Sequence, residues 1–260
     1  MFPHEKLKKF IRKTISIFMK PLRLLNVTLT VLSIVFFLLQ SLGEEVFAMA
    51  VRCAALSVLA ILYTKKAKRT KLLFIGFILF FVLGDIFHLL HLIVGNQYLF
   101  KYEFLDYIVN NILYLLAYTC LIIKISLSLD LIAIVKKYSL YLSLILGIGV
   151  FFIYCLSEIT QDFVSQSEFN FENFYNIVVV CLMCVALINY LYHDDKKSIN
   201  MLIGSIFIAF SEILQLAYFY IADFAILNMT FSLFFILAIL FFYLQSISEH
   251  REQVEYSYEI

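Results

Sequence analysis

The sequence predicts an all-α polytopic membrane protein of about eight transmembrane helices, and three observations carry that reading. Of its 260 residues, 63% are hydrophobic and 15% charged, and the mean hydropathy is +0.94, which is more apolar surface than a soluble core of this size could hide. The apolar residues gather into eight runs, each close to the ~20 residues a helix needs to cross a bilayer. The basic residues fall almost entirely in alternate gaps between those runs.

The first 23 residues carry Lys6, Lys8, Lys9, Arg12, Lys13, Lys20 and Arg23 among Phe10, Ile11, Ile15, Ile17 and Phe18. That pattern suits a basic amphipathic helix lying on an anionic leaflet. The basic region is long and no small-x-small cleavage site follows the first span, so that span is expected to be retained. Spans are expected at 24–42, 46–63, 72–94, 105–124, 130–156, 174–192, 200–221 and 225–247. They form one transmembrane domain over 24–247, followed by a short tail at 248–260. The only prolines, Pro3 and Pro21, precede the first span, so no helix needs a proline kink. Gly76 and Gly84 share a face of the third span and would admit a close helix neighbour; the plainer reading is that glycine is simply frequent in membrane helices. The longest loop is expected at 157–173, where Glu158, Asp162, Glu168 and Glu172 alternate with Phe163, Phe169 and Phe171, folded over the outer face.

Charge sets the orientation. Seven Lys/Arg precede the first span, five lie at 64–71, three at 124–137, two at 196–197 and one in the tail, whereas Lys101 alone lies in an alternate loop. By the positive-inside rule both termini are cytoplasmic, in agreement with an even number of spans. The net charge of +1 gives no sign of nucleic-acid binding; the partners expected are the bilayer and a lipid substrate.

Two stretches inside the spans break the apolar pattern: Gly84-Asp85-Ile86-Phe87-His88-Leu89 and Ser211-Glu212-Ile213-Leu214-Gln215-Leu216. A carboxylate deep in a spanning helix costs several kcal/mol on most scales, so it faces a protein interior or a wet cavity with a partner. The two acids are 127 residues apart, close to half the chain, in the third and seventh spans. That spacing suggests two parallel four-helix repeats. From span starts at 72 and 200, both acids lie about 18–20 Å deep at ~1.5 Å per residue, and Arg52 in the second span about 16 Å deep. The three can meet. An Arg beside two acids can hold one ionised while the other keeps its proton, giving a general base and a general acid; the plainer reading is a buried ion pair that fixes helix register.

His88 and Gln215 each follow an acid by three residues and project from nearly its face. Asn110, Asn111, Tyr114 and Tyr118 add donors from the fourth span. Asp85, His88, His91 and Glu212 lack the spacing of a metal-ligand pair, and no metal or other cofactor is expected. The cysteines, Cys181-x-x-Cys184 included, sit in apolar spans and read as small buried residues.

These residues resemble the YhhN-type lysoplasmalogenases, eight-helix membrane proteins. The resemblance lies in Gly84-Asp85, Asn111-Ile-Leu-Tyr114, Phe210-Ser211-Glu212 and the closing Tyr243-Leu244-Gln245, and the span plan extends it over nearly the whole chain. Glu212 stands where the family usually has Asp and Asn111 where it has His, while Arg52 has no reliable counterpart. The resemblance implies a bacterial cytoplasmic-membrane hydrolase that cleaves the vinyl ether of a lysoplasmalogen to a fatty aldehyde and a glycerophospho head group. Asp85 and Glu212 would be its catalytic acids, and Arg52, His88, Asn111, Tyr114 and Gln215 would support or bind substrate. One acid would protonate the enol ether and the other would deliver water. The tighter setting of Asp85 beside Gly84 suggests it as donor and Glu212 as base. A proton-coupled transporter of lipids or small molecules, or a non-enzymatic sensor or scaffold, would use the same buried acids and remains an alternative.

Overall fold

A computed structural model describes residues 24–66, 72–94, 103–163, 165–222 and 224–248. The basic segment at 1–23, Lys101 and nearly all of the tail lie outside the described residues. Among those described, regular structure is entirely helical. The helices are α1 (Leu24–Ser41), α2 (Glu45–Lys66), α3 (Leu72–Val94), α4 (Glu103–Ser126), α5 (Leu131–Thr160), α6 (Gln166–His193), α7 (Lys196–Leu216), which runs on into a π-helical turn at Ala217–Ile221, and α8 (Ala225–Ile247). All eight are long and apolar enough to cross a membrane. Leu24, Val27, Leu140, Leu144, Val150 and Phe151 are among many large apolar side chains left exposed on the outside, as expected of a lipid-facing surface and not of a soluble monomer.

Local chemistry sets the helix ends. After α1 the chain turns through Gly43 at φ 75°, a backbone region that glycine adopts without a Cβ clash. There Glu44 N–H donates to Leu39 O and Gly43 N–H to Gln40 O, the paired bonds of a Schellman ending. Asp130 caps α5 through the N–H groups of Ile132 and Ala133. Asp195 and Ser198 form a capping box at the start of α7, so this helix begins at Lys196, earlier than expected.

The long loop expected at 157–173 is replaced by helix. The fifth helix continues to Thr160 and α6 starts at Gln166. Ser165 is the N-cap, and its backbone N–H donates to the Glu168 carboxylate at 2.9 Å while its hydroxyl accepts from Glu168 N–H. This reciprocal cap lets a polar, acidic segment begin a helix. Phe169, Phe171 and Glu172 therefore belong to α6.

Six helices form a ring in the order α2, α3, α4, α6, α7, α8, closed by contact of α8 with α2. The other two lie outside it. The fifth packs on α6; the first packs across α2 and α8, where Phe36 meets Phe235 and Gln40 donates to Asn228. Each half of the chain thus contributes one outer helix and a three-helix arc in the same order, as two parallel four-helix repeats would.

One end of the ring is filled with aromatic side chains. Tyr63, Phe74, Phe77, Phe81 and Phe242 are all but fully buried and meet in edge-on or tilted pairs 4.6–5.7 Å apart. The other end is hollow.

Candidate active site

The hollow is a chamber of about 540 Å³, within the range of small-molecule sites. Polar groups reach it from five helices: Arg52 from α2, His88 and His91 from α3, Asn110, Asn111 and Tyr114 from α4, Glu172, Tyr175 and Asn176 from α6, and Ser211, Glu212 and Gln215 from α7. Apolar walls come from Met49, Phe81, Phe231 and Phe235. The π-helical turn after α7 adds Phe219 and Tyr220, the kind of local register change often found at functional sites.

Asp85 has no share in this lining. It is fully buried, and its carboxylate is held by Arg52 in a fork, Nε to Oδ2 at 2.9 Å and Nη2 to Oδ1 at 2.8 Å. The Tyr114 hydroxyl donates a third bond to Oδ1 at 2.7 Å. Gly84 makes this possible: a Cβ there would lie 2.8 Å from Cε1 of Tyr114, so glycine lets the ring pass and reach the next residue's carboxylate. The Arg52 guanidinium also lies 4.1 Å from the Phe235 ring centroid and 5.7 Å from that of Phe81, within cation–π range. Two of its nitrogens are engaged by Asp85, and the head group borders the chamber with 13% of the side chain exposed. The bidentate geometry fixes the plane of the guanidinium.

Glu212 takes a different place. It faces the chamber directly, and the Tyr118 hydroxyl of α4 donates to its Oε1. Tyr118 is itself fully buried and packs edge-on against Tyr175, with centroids 6.1 Å apart. Ser211 is buried beside it, with its hydroxyl given to Phe231 O of α8 at 2.9 Å, so the small residue before each acid marks a tight crossing to the next helix.

Of the residues singled out from sequence, Arg52, His88, Asn111, Tyr114, Glu212 and Gln215 come together around one chamber, and Asp85 stands behind Arg52 and Tyr114. Asp85, expected as the proton donor, does not reach the chamber: both its oxygens accept bonds from Arg52, and Oδ1 accepts a further one from Tyr114. Gln245 of the closing Tyr243-Leu244-Gln245 lies elsewhere: it accepts from Lys124 Nζ at 2.7 Å, with Lys124 over the Phe74 ring. Glu172 was missed because it falls where a loop was expected, and Tyr175 and Asn176 because they stand at the very start of the expected 174–192 span, with no helix turn before them to show that they share a face with Glu172. The Ser165-x-x-Glu168 cap ahead of an apolar run was the signal that would have placed them on a helix.

No protein-family model, no curated protein and no solved structure matches the chain.

Proposed function

We propose that the chain is an intramembrane hydrolase that cleaves the vinyl ether bond of lysoplasmalogen-type lipids, the activity implied by its resemblance to the YhhN-type enzymes. One observation carries the reading: a chamber within the spans has a carboxyl group, Glu212, and a guanidinium, Arg52, on its wall, the first set by a tyrosine and the second by a carboxylate. Acid hydrolysis of an enol ether needs a proton delivered to the vinyl carbon distal to oxygen and needs little else to start. Glu212 is the donor, in place of Asp85. Arg52 receives the lipid phosphate on the edge it turns to the chamber, and Asp85 is a positioning residue that keeps that edge aimed. The alkenyl chain lies among Phe81, Phe231 and Phe235. With both termini cytoplasmic, as the charge pattern indicates, the hollow end faces the outer leaflet, where a single-chain lipid can slide in from the membrane.

The test is turnover by the purified protein in detergent, without any gradient, on a 1-alkenyl lysophospholipid. Fatty aldehyde is expected from the wild type, none from the saturated 1-alkyl analogue, and at least ~100-fold less from Glu212→Gln, the usual effect of removing a catalytic acid. Full activity of Glu212→Gln would overturn the assignment, and a wild type inert on every vinyl ether lipid would overturn the function and favour a transporter.

A further inference from the structure

The inner edge of α6 carries polar groups that proton donation to the substrate does not require. Glu172, Tyr175 and Asn176 stand at i, i+3 and i+4, hence on one helix face, and all three are buried at the chamber wall. Asn176 is 2% exposed, yet its Nδ2 has no hydrogen-bond partner. A buried amide donor is normally satisfied, so this one is poised for an oxygen that comes and goes with the reaction. It stands beside Glu212, since the two residues together border both the chamber and a small apolar pocket between α5, α6 and α7. Glu172 is near enough to Glu212 for the two carboxyls to interact. They are the only two carboxyls on the chamber wall among the described residues.

We propose that Glu172 is the base that activates the attacking water, and that Asn176 holds that water by donating its amide N–H to the water oxygen. This rests on the vinyl ether reading above. In the first step the Glu212 carboxyl gives its proton to the distal vinyl carbon, leaving an oxocarbenium ion and the Glu212 carboxylate. Water held by Asn176 then bonds to the oxocarbenium carbon as Glu172 takes its proton, giving a hemiacetal. In the collapse, the hemiacetal hydroxyl returns its proton to Glu212, the carbon–oxygen bond to glycerol breaks, and Glu172 protonates the departing glycerol oxygen. One water is consumed, aldehyde and glycerophospho alcohol leave, and both carboxyls regain their starting forms. The division of labour between two carboxyl groups is the one glycosidases use at an oxocarbenium centre.

The experiment is single-turnover hydrolysis of a 1-alkenyl lysophospholipid in D2O by wild type, Glu172→Gln, Asn176→Ala and Glu212→Gln. Glu172→Gln is expected to release aldehyde at least ~100-fold more slowly, with unchanged affinity for the saturated 1-alkyl analogue. Because protonation can still occur and reverse in this variant, the vinyl ether recovered from it should contain deuterium at the distal vinyl carbon, and that from Glu212→Gln should contain none. Asn176→Ala should slow release with the same deuterium signature, and it decides the matter if Glu172→Gln does not fold. Full turnover in Glu172→Gln beside an active wild type, or slowed turnover without deuterium exchange, would overturn the role of Glu172 alone. A wild type that releases no aldehyde would overturn the hydrolase reading and this role with it.

Discussion

At the scale of single residues, the arginine and the three carboxyls have separable parts. Asp85 is saturated by Arg52 and Tyr114, so its loss should act on the fold before it acts on chemistry. Asp85→Asn leaves a buried guanidinium without its counter-charge, and removing one partner of such a pair costs about 3–5 kcal/mol. A marked fall in the detergent unfolding midpoint is expected. Replacing the pair together, Arg52→Met with Asp85→Leu, should restore most of that stability, since buried pairs are often neutral against apolar substitutes, while lysolipid hydrolysis stays lost. Recovery of turnover in the double variant would show that Arg52 has no part in holding the substrate.

At the scale of helices, close crossings decide which elements pair. Gly204 meets Phe242 across the α7–α8 contact, where an added Cβ would lie 2.7 Å from Cδ1. Gly204→Ala should therefore cost about 1–3 kcal/mol by overpacking. Gly147, with nothing within 4 Å, is the control: Gly147→Ala should be neutral or add about 0.5–1 kcal/mol through backbone propensity. Unfolding midpoints of the two variants check the contrast. How far sequence led is seen in the same elements. Hydrophobic run length placed the spans, since a bilayer demands it, and the cost of burying charge drew attention to Arg52, Asp85 and Glu212. What run length could not supply was the direction of each side chain. Asp85 and Glu212 share a depth and a motif, yet one turns into an ion pair and the other into the hollow, because only the first has an arginine on the neighbouring helix. Likewise the acids of 165–172 looked like loop residues by hydropathy, and a two-residue cap made them helix.

At the scale of the whole molecule, the chamber lies on the joint between the two halves. The first half brings the ion pair and Tyr118; the second brings Glu212 and the polar face of α6. Bonds across the joint hold it closed: Gln40 to Asn228, Lys124 to Gln245, and a ring nitrogen of His193 with Ser128 O. If the hollow end faces outward, a cysteine placed near Ser165 should be labelled by an impermeant reagent in intact cells, and one placed in the 64–71 segment should not. The opposite pattern would invert the molecule.

The placement of the ion pair also bears on how the chain enters the membrane during synthesis. Arg52 and Asp85 belong to consecutive helices, α2 and α3, so the emerging hairpin can neutralise its own arginine before any later segment leaves the ribosome. An arginine at mid-helix carries an insertion penalty of about 2.5–3.5 kcal/mol, and its partner arrives in the very next span. Glycosylation mapping of chains truncated after α3 should find α2 spanning in the wild type and slipping from the membrane in Asp85→Leu. Glu212 draws on both halves, with Tyr175 of the preceding α6 and Tyr118 of α4 both bonded to it, so this wall of the chamber is complete only when the second half docks against the first.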